Sequence, residues 1–442
     1  MSLIESLWDW IYPDAKTPPP AYGRGIHALP NKDEAELFEQ SIKSFKNRDI
    51  IDGYGYFLSS LIHHESNYPY SHLVLEQDDN ELRFIIYQGL AKIEGVVRDD
   101  ALSAYVNIAK NSSLHVALKR RFLERNFQLT YCRFSEKDDA IRLTLNLDNS
   151  TITPQKIFFP LRELALNADY EKEFIAGEFS EEMLLDFEHI QKLSSDRVKI
   201  SHQMMIKWIQ ETRESLIGLL SNDNTGMISF SYLTLLLQID YLLIPRKNMA
   251  KNISEKIGGY FSDDEKLTED KNADLEYYID ELYQMDLEQF SEQFYRSAYT
   301  FSPFDNASHD EISAFVEESL SKVKWYKNNR LNYVISIIYR YISLYVLYNY
   351  GLHPTLRTLF HLHVEIYASD FFKTISEDVL YDTESNEFNK ELISLRIKQS
   401  IEPFTDRHKA LRDFSQHLDY SDLDRFSHSF YMNIKNLDFT EN

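Results

Sequence analysis

The sequence predicts an α+β N-terminal domain, an antiparallel sheet with flanking helices in the order α-βββ-α-ββ-α, followed by a large all-α domain. Three observations carry this. Between about Leu73 and Leu147 the apolar residues recur with a period near two, the mark of half-buried strands. After Gly177 that signal largely disappears and helical periodicity replaces it. Gly and Pro number only 12 each in 442 residues, under half of the pair's usual share of roughly 12%, so tight turns are few and helix is favoured.

Residues 1–32 form an aromatic N-terminal segment marked by Pro18-Pro19-Pro20, with Trp8, Trp10, Ile11 and Tyr12 expected to pack onto the body. The domain proper covers 33–176. Ala35, Leu37, Phe38, Ile42 and Phe45 give a first helix over 33–46, and a second short one covers about 56–64. Leu73–Leu75, Leu82–Tyr87, Leu90–Val97 and Leu102–Ala109 read as three or four antiparallel strands joined by short acidic turns. A helix follows at 114–127. Leu129–Phe134 and Ile141–Leu147 form a hairpin around Glu136-Lys137-Asp138-Asp139. Thr153-Pro154 then opens a closing helix, with Pro at the position where its missing N–H costs nothing.

The all-helical domain spans 177–442. Helical patterns cover about 180–193, 201–221, 228–243, 273–298, 309–325, 330–350, 355–375, 388–400, 406–417 and 421–436. Residues 246–272 are polar and read as a loop or linker. Tyr232–Ile244 and Tyr333–Tyr350 are the most apolar stretches. The first is short of the roughly 20 residues a membrane span needs and the second is broken by Arg340, so both are expected to be buried core helices in a cytoplasmic protein.

Composition narrows the function. The single cysteine, Cys132, excludes a disulfide framework and Cys-based metal sites. The net charge of −23 argues against a broad nucleic-acid-binding surface. No G-x-x-x-x-G-K-[ST], G-x-S-x-G, H-E-x-x-H or G-x-G-x-x-G motif occurs, which counts against the commonest nucleotide, hydrolase and metalloprotease chemistries, and no cofactor is expected. His63-His64-Glu65 offers adjacent ligands, but neighbouring side chains on a helix diverge by about 100°. His361 and Glu365, at i,i+4, could share one cation, although a hydrogen-bonded pair is the simpler expectation. Arg340, inside an aromatic helix, is a candidate for pairing, stacking or binding an anionic ligand.

The words Leu123, Glu124, Asn126, Leu129-Thr130-Tyr131-Cys132-Arg133-Phe134, Ile141-Arg142-Leu143 and Leu161-Arg162-Glu163-Leu164-Ala165 with Ala168-Asp169 resemble the type III secretion chaperone-like fold, which includes the YbjN-type proteins. The resemblance implies a non-enzymatic acidic protein that binds a protein client along a sheet-and-helix surface. That surface is expected around Leu82–Tyr87 and Leu102–Ile108, carried by Phe84, Ile86 and Tyr105, with Arg133 and Arg142 at its polar rim and Arg340 as a further binding residue. The chain is much longer than such chaperones.

A second string, Asp406 to His417, places Arg412 and His417 at the R-x4-H spacing of HEPN ribonucleases, which the helical C-terminal part resembles. In such a site the histidine handles the proton of an RNA 2′-hydroxyl and the arginine stabilises phosphorane charge. The leading expectation is a protein-binding protein, and the alternative is an RNA-directed HEPN component.

Overall fold

The computed structural model describes residues 22–23, 32–62, 71–78, 80–217, 224–305, 307–402 and 409–437, with the side chains of 32, 33 and 409–412 outside that set. Helices α1 (Lys32–Asn47) and α2 (Ile50–Ser59) lead into strands β1 (Leu73–Gln77), β2 (Leu82–Gln88), β3 (Ala91–Val97) and β4 (Ala101–Lys110). Helix α3 (Val116–Gln128), strands β5 (Arg133–Lys137) and β6 (Ala140–Asp148), and the long helix α4 (Pro154–Glu178) complete the first region. The six strands form one antiparallel sheet in the order β1-β2-β3-β4-β6-β5, as the α+β reading expects. Alternation decides its faces. Leu82, Phe84, Ile86, Ile93, Leu102, Val106, Leu143 and Leu145 point inward and are buried with Leu161, Leu164, Ala165 and Ala168 of α4.

Strands β3 and β4 pair only over Glu94–Val97 and Leu102–Tyr105. Past that point the chain after α4 enters the gap: Leu184 bridges Ala109, and the Leu185 N–H donates to the Ile108 carbonyl at 3.1 Å. The stretch 180–193, expected as helix, is therefore irregular apart from the 3-10 turn Glu181–Met183. Leu184 and Leu185 serve the sheet, and Leu193 packs on the helical core.

Helices α5 (Ser195–Leu216), α6 (Thr225–Leu243), α7 (Lys247–Ser262), α8 (Thr268–Gln284), α9 (Leu287–Ser291), α10 (His309–Asn328), α11 (Ile335–Asn349), α12 (Pro354–Tyr367) and α13 (Ser369–Thr374) follow. A two-residue hairpin, β7 (Tyr381–Asp382) with β8 (Glu387–Phe388), precedes α14 (Lys390–Ile401) and α15 (Leu423–Lys435). Helix α6 is apolar on every side because α5, α7, α8 and α11 surround it. Among the described helices it alone is long and apolar enough to cross a membrane, and most of it is buried in the helical core.

The linker expected at 246–272 is helix: Met249, Ala250, Ile253 and Ile257 form a narrow buried stripe on α7, and α8 begins at Thr268. The strand expected from Leu129 begins at Arg133. Before it, the N–H groups of Thr130, Tyr131 and Cys132 all donate to the Glu163 carboxylate, at 3.0, 2.7 and 2.9 Å. Segment 295–301 leaves the helices and returns to the sheet, where Tyr295 and Phe301 join its core.

Candidate functional site

The helices cover the inner face of the sheet. On the other side, among the described residues, segment 184–191 meets only its margin, with His189 against Tyr87 at 4.8 Å and Asp186 bonded to Asn107. On that side the register lines up one side chain from every strand: Val74 opposite Ile85, Ile85 opposite Glu94, Glu94 opposite Tyr105, Tyr105 opposite Thr144, and Thr144 opposite Arg133. Residues paired across an antiparallel ladder share a face, so the row is continuous over all six strands. No described element covers it.

Its middle is a linked set of polar groups. The Lys92 ammonium reaches Glu94 Oε1 at 2.7 Å, and the Tyr105 hydroxyl donates to Glu94 Oε2 at 2.6 Å. The Arg142 guanidinium lies over the Tyr105 ring at 4.9 Å and donates from Nε to Asn107 Oδ1 at 2.7 Å. Asn107 in turn donates to Asp186 at 2.6 Å. Burial by itself would raise Glu94, but the bonds from Lys92 and Tyr105 outweigh it and hold the carboxylate below its ordinary value. The bond to Glu94 raises both Tyr105 and Lys92. At neutral pH the face therefore presents fixed charges and an aromatic ring, each held by a neighbour.

The sequence-predicted residues divide around this row. Tyr105 and Arg142 meet on it. Arg133 ends it, with its guanidinium donating to the Leu129 and Cys132 carbonyls at 2.7 and 2.5 Å. Phe84 and Ile86 do not belong to it, and the expectation for both is corrected: they face inward and are buried. The Phe84 ring lies so close over Gly95 that a Cβ there would stand 2.0 Å from it. Ile85 and Tyr87 point outward from β2 in their place.

Arg340, expected as a further binding residue, lies half-buried between α11 and α6, donating to the Gln238 side chain, and desolvation lowers its pKa. His361 and Glu365 come together, with Nε2 to Oε1 at 3.2 Å. Their other atoms are taken, His361 Nδ1 by the Tyr241 hydroxyl at 2.9 Å and Glu365 Oε2 by Arg396, and Tyr22 stacks on the imidazole at 5.1 Å. Among the described residues no group of three or more His, Cys, Asp or Glu side chains is placed to hold a metal. His417 is exposed at the end of a 3-10 helix, Lys409–His417. The Arg412 side chain and the whole of His63-His64-Glu65 and Trp8–Tyr12 lie outside the described residues.

Sequence reasoning missed a buried polar junction behind the sheet. Gly89, in the turn between β2 and β3, has a φ of +55°. Its N–H donates to Ala298 O at 3.0 Å, and its carbonyl takes the Ser297 hydroxyl at 2.6 Å and His189 Nε2 at 2.9 Å. Asp169 of α4 accepts the Leu90 N–H at 2.8 Å. Lys172, one turn on, donates to the carbonyls of Leu90, Leu185 and Asp186 at 2.9, 2.5 and 3.1 Å, which occupies all three ammonium hydrogens in the gap between β3 and β4. Burial pulls Lys172 down to about 7 and raises Asp169 well above the usual carboxylate range.

Helix α6 delivers the last member. Ile244 ends it with φ of 57°, a strained value for a β-branched residue, and Pro245 stops the helix. Arg246 then lies over the Tyr299 ring at 4.5 Å, beside Tyr295, whose hydroxyl donates to Glu173 of α4. A signal for this junction was present: Leu161, Ala165, Ala168, Lys172 and Ile175 follow helical spacing on one face of α4, so Lys172 stands in an apolar stripe. A cleft of about 820 Å³ adjoins it, lined in part by Glu181, Lys192, Lys199, Lys247, Glu288 and Tyr295.

No protein-family model matches the sequence, and no curated protein matches it.

Proposed function

We propose that this is a non-catalytic, cytoplasmic protein-binding protein, and that its docking surface is the outer face of the sheet centred on Tyr105. The observation that supports this most directly is the row from Val74 to Arg133, which crosses six strands with no described element over it. Tyrosine and arginine are the side chains that most often dominate protein interfaces, because each combines a large flat apolar area with directed hydrogen bonds. Here Tyr105 and Arg142 stack on each other and are fixed by Glu94 and Asn107, so little conformational freedom remains to be lost on docking. The mixture of Lys92, Glu94, Arg133 and Arg142 suits a partner surface with charges of both signs.

The test is a matched pair of affinity captures from the source cell's extract, one with wild-type protein and one with the Tyr105→Ala, Arg142→Ala double variant, after circular dichroism shows equal folding. The expected result is a partner recovered near stoichiometry by the wild type and reduced at least about tenfold by the variant. Equal recovery of the same proteins by both baits would overturn the assignment of this face.

A further inference from the structure

Helix α3 is apolar on two opposite sides. Leu118 and Phe122 face the core. Val116, Leu123 and Phe127 lie on the reverse side at 82%, 65% and 93% exposure, spaced i, i+7 and i+11 in one stripe with Arg120 between them. A contiguous exposed apolar stripe of this kind marks an interaction surface. Arg121 and Arg125 tie the helix to the buried Glu171 at 2.7 and 3.0 Å, so the stripe is rigidly presented. The surroundings are basic in an acidic protein. From 110 to 137 the chain carries Lys110, Lys119, Arg120, Arg121, Arg125, Arg133 and Lys137 against only Glu124 and Glu136. Arg120 pairs with Glu124, and Arg121 and Arg125 pair with Glu171, which leaves the excess on Lys110, Lys119, Arg133 and Lys137.

Helix α8 offers the converse. Leu267, at its N-cap, and Tyr277 are exposed at 68% and 65%. They share one helical stripe with Asp270, Asp274 and Glu281, and Glu269 and Glu276 flank it. The nearby lysines are already engaged, Lys266 by Asp274 and Lys271 by the Tyr260 carbonyl at 2.9 Å. At 1.5 Å per residue the two stripes run about 17 and about 21 Å, a matched length.

We infer that α3 of one copy of this chain packs on α8 of a second copy. The complementary charge on two separate helices of the same molecule selects the partner: a second copy brings both the apolar residues and the acidic rim that α3 lacks. The α3-to-α8 contact closes as a two-fold dimer if both copies exchange it at once. Where only one such contact forms per pair, one α3 and one α8 stay free and the assembly grows further. Arg133 borders both surfaces, but the apolar stripe Val116, Leu123 and Phe127 contains neither Tyr105 nor Arg142. The variants that test the two proposals therefore do not overlap, and the inference stands or falls apart from the proposed docking function.

Sedimentation velocity of the full chain, up to about 100 μM and at about 50 and about 500 mM NaCl, tests it. The expected result is a weight-average mass that rises with concentration and falls at high salt. Phe127→Glu and, separately, Tyr277→Lys with Asp270→Lys each abolish this growth. Mixing the two defective proteins restores association but stops at a one-to-one pair, since one supplies an intact α8 and the other an intact α3. A monomer at every concentration in low salt would overturn the inference. So would association lost with Phe127→Glu but untouched by the α8 variant, which would mean that α3 meets another surface.

Discussion

Two sets of lysine, carboxylate and tyrosine lie on opposite sides of the same sheet, and they differ in what surrounds them. In front, Lys92, Glu94 and Tyr105 are half exposed; the shifts of Lys92 and Glu94 favour the charged ammonium and carboxylate, while Tyr105 is held as the neutral phenol that donates to Glu94. Behind, Lys172, Asp169, Glu173 and Tyr295 are enclosed by α4, the β2–β3 turn and segment 295–301, and burial pushes Lys172, Asp169 and Tyr295 toward their neutral forms. Similar chemistry thus serves two purposes. Buried, it clasps the sheet to the helices, because each donor and acceptor there is costly to leave unpaired. Half-exposed, it holds side chains in place while leaving their outer surfaces free.

The largest break in this comparison comes from Lys172. Its replacement by Met keeps most of the volume but strips the Leu90, Leu185 and Asp186 carbonyls of their shared donor. A loss of about 3 kcal/mol in urea unfolding is expected, the scale of several buried groups left unsatisfied. A loss below about 1 kcal/mol would mean that water replaces the ammonium and that the clasp is weak.

Gly89 is the next break. Its φ of +55° disfavours any side chain, and a Cβ there would stand 2.1 Å from the Asp169 carboxylate. Gly89→Ala should destabilise the protein by about 2 kcal/mol, with strain and the displaced Asp169 contributing together. Replacement of Ile85 by Ala, on the outer face of the neighbouring ladder, should cost under about 1 kcal/mol by the same unfolding measurement.

How far the sequence reaches is visible at these same places. On β6 the alternation of Ile141, Leu143 and Leu145 with Arg142, Thr144 and Asn146 specified the faces, and Arg142 could be placed outward from it. On β2 the run Phe84-Ile85-Ile86-Tyr87 has no alternation, so only pairing with β3 shows which pair is buried. Residues 246–272 look like a loop because Lys, Asn and Ser outnumber the apolar residues, yet four of these at helical spacing suffice when α6 and α8 wait beside them. Residues 180–193 show the reverse error, since Leu184 and Leu185 answer to a gap in a sheet far away in sequence. The junction could not be read whole. The α4 stripe flags Lys172, but its acceptors at 90, 185 and 186 come together only through the divergence of β3 from β4.

Titration sharpens the comparison most finely. Lys172 has a folded value of about 7 against 10.5 for an ordinary lysine, so between those pH values the unfolded chain binds more protons than the folded one. Stability therefore rises with pH across that window through this group and is flat in it below about 7. Asp169 acts the other way: its raised value lets the folded chain keep a proton that the unfolded chain has lost, so its contribution is present at low pH and fades as pH rises through the folded value. Lys92 in front is raised, so its small contribution is present below the ordinary lysine value and lost above it. Unfolding free energies of the wild type and Lys172→Met between about pH 7 and about pH 10 separate these terms, with the difference between the two proteins expected to widen as pH rises. A constant difference would show that Lys172 keeps its proton throughout, held by its three carbonyls against the pull of burial.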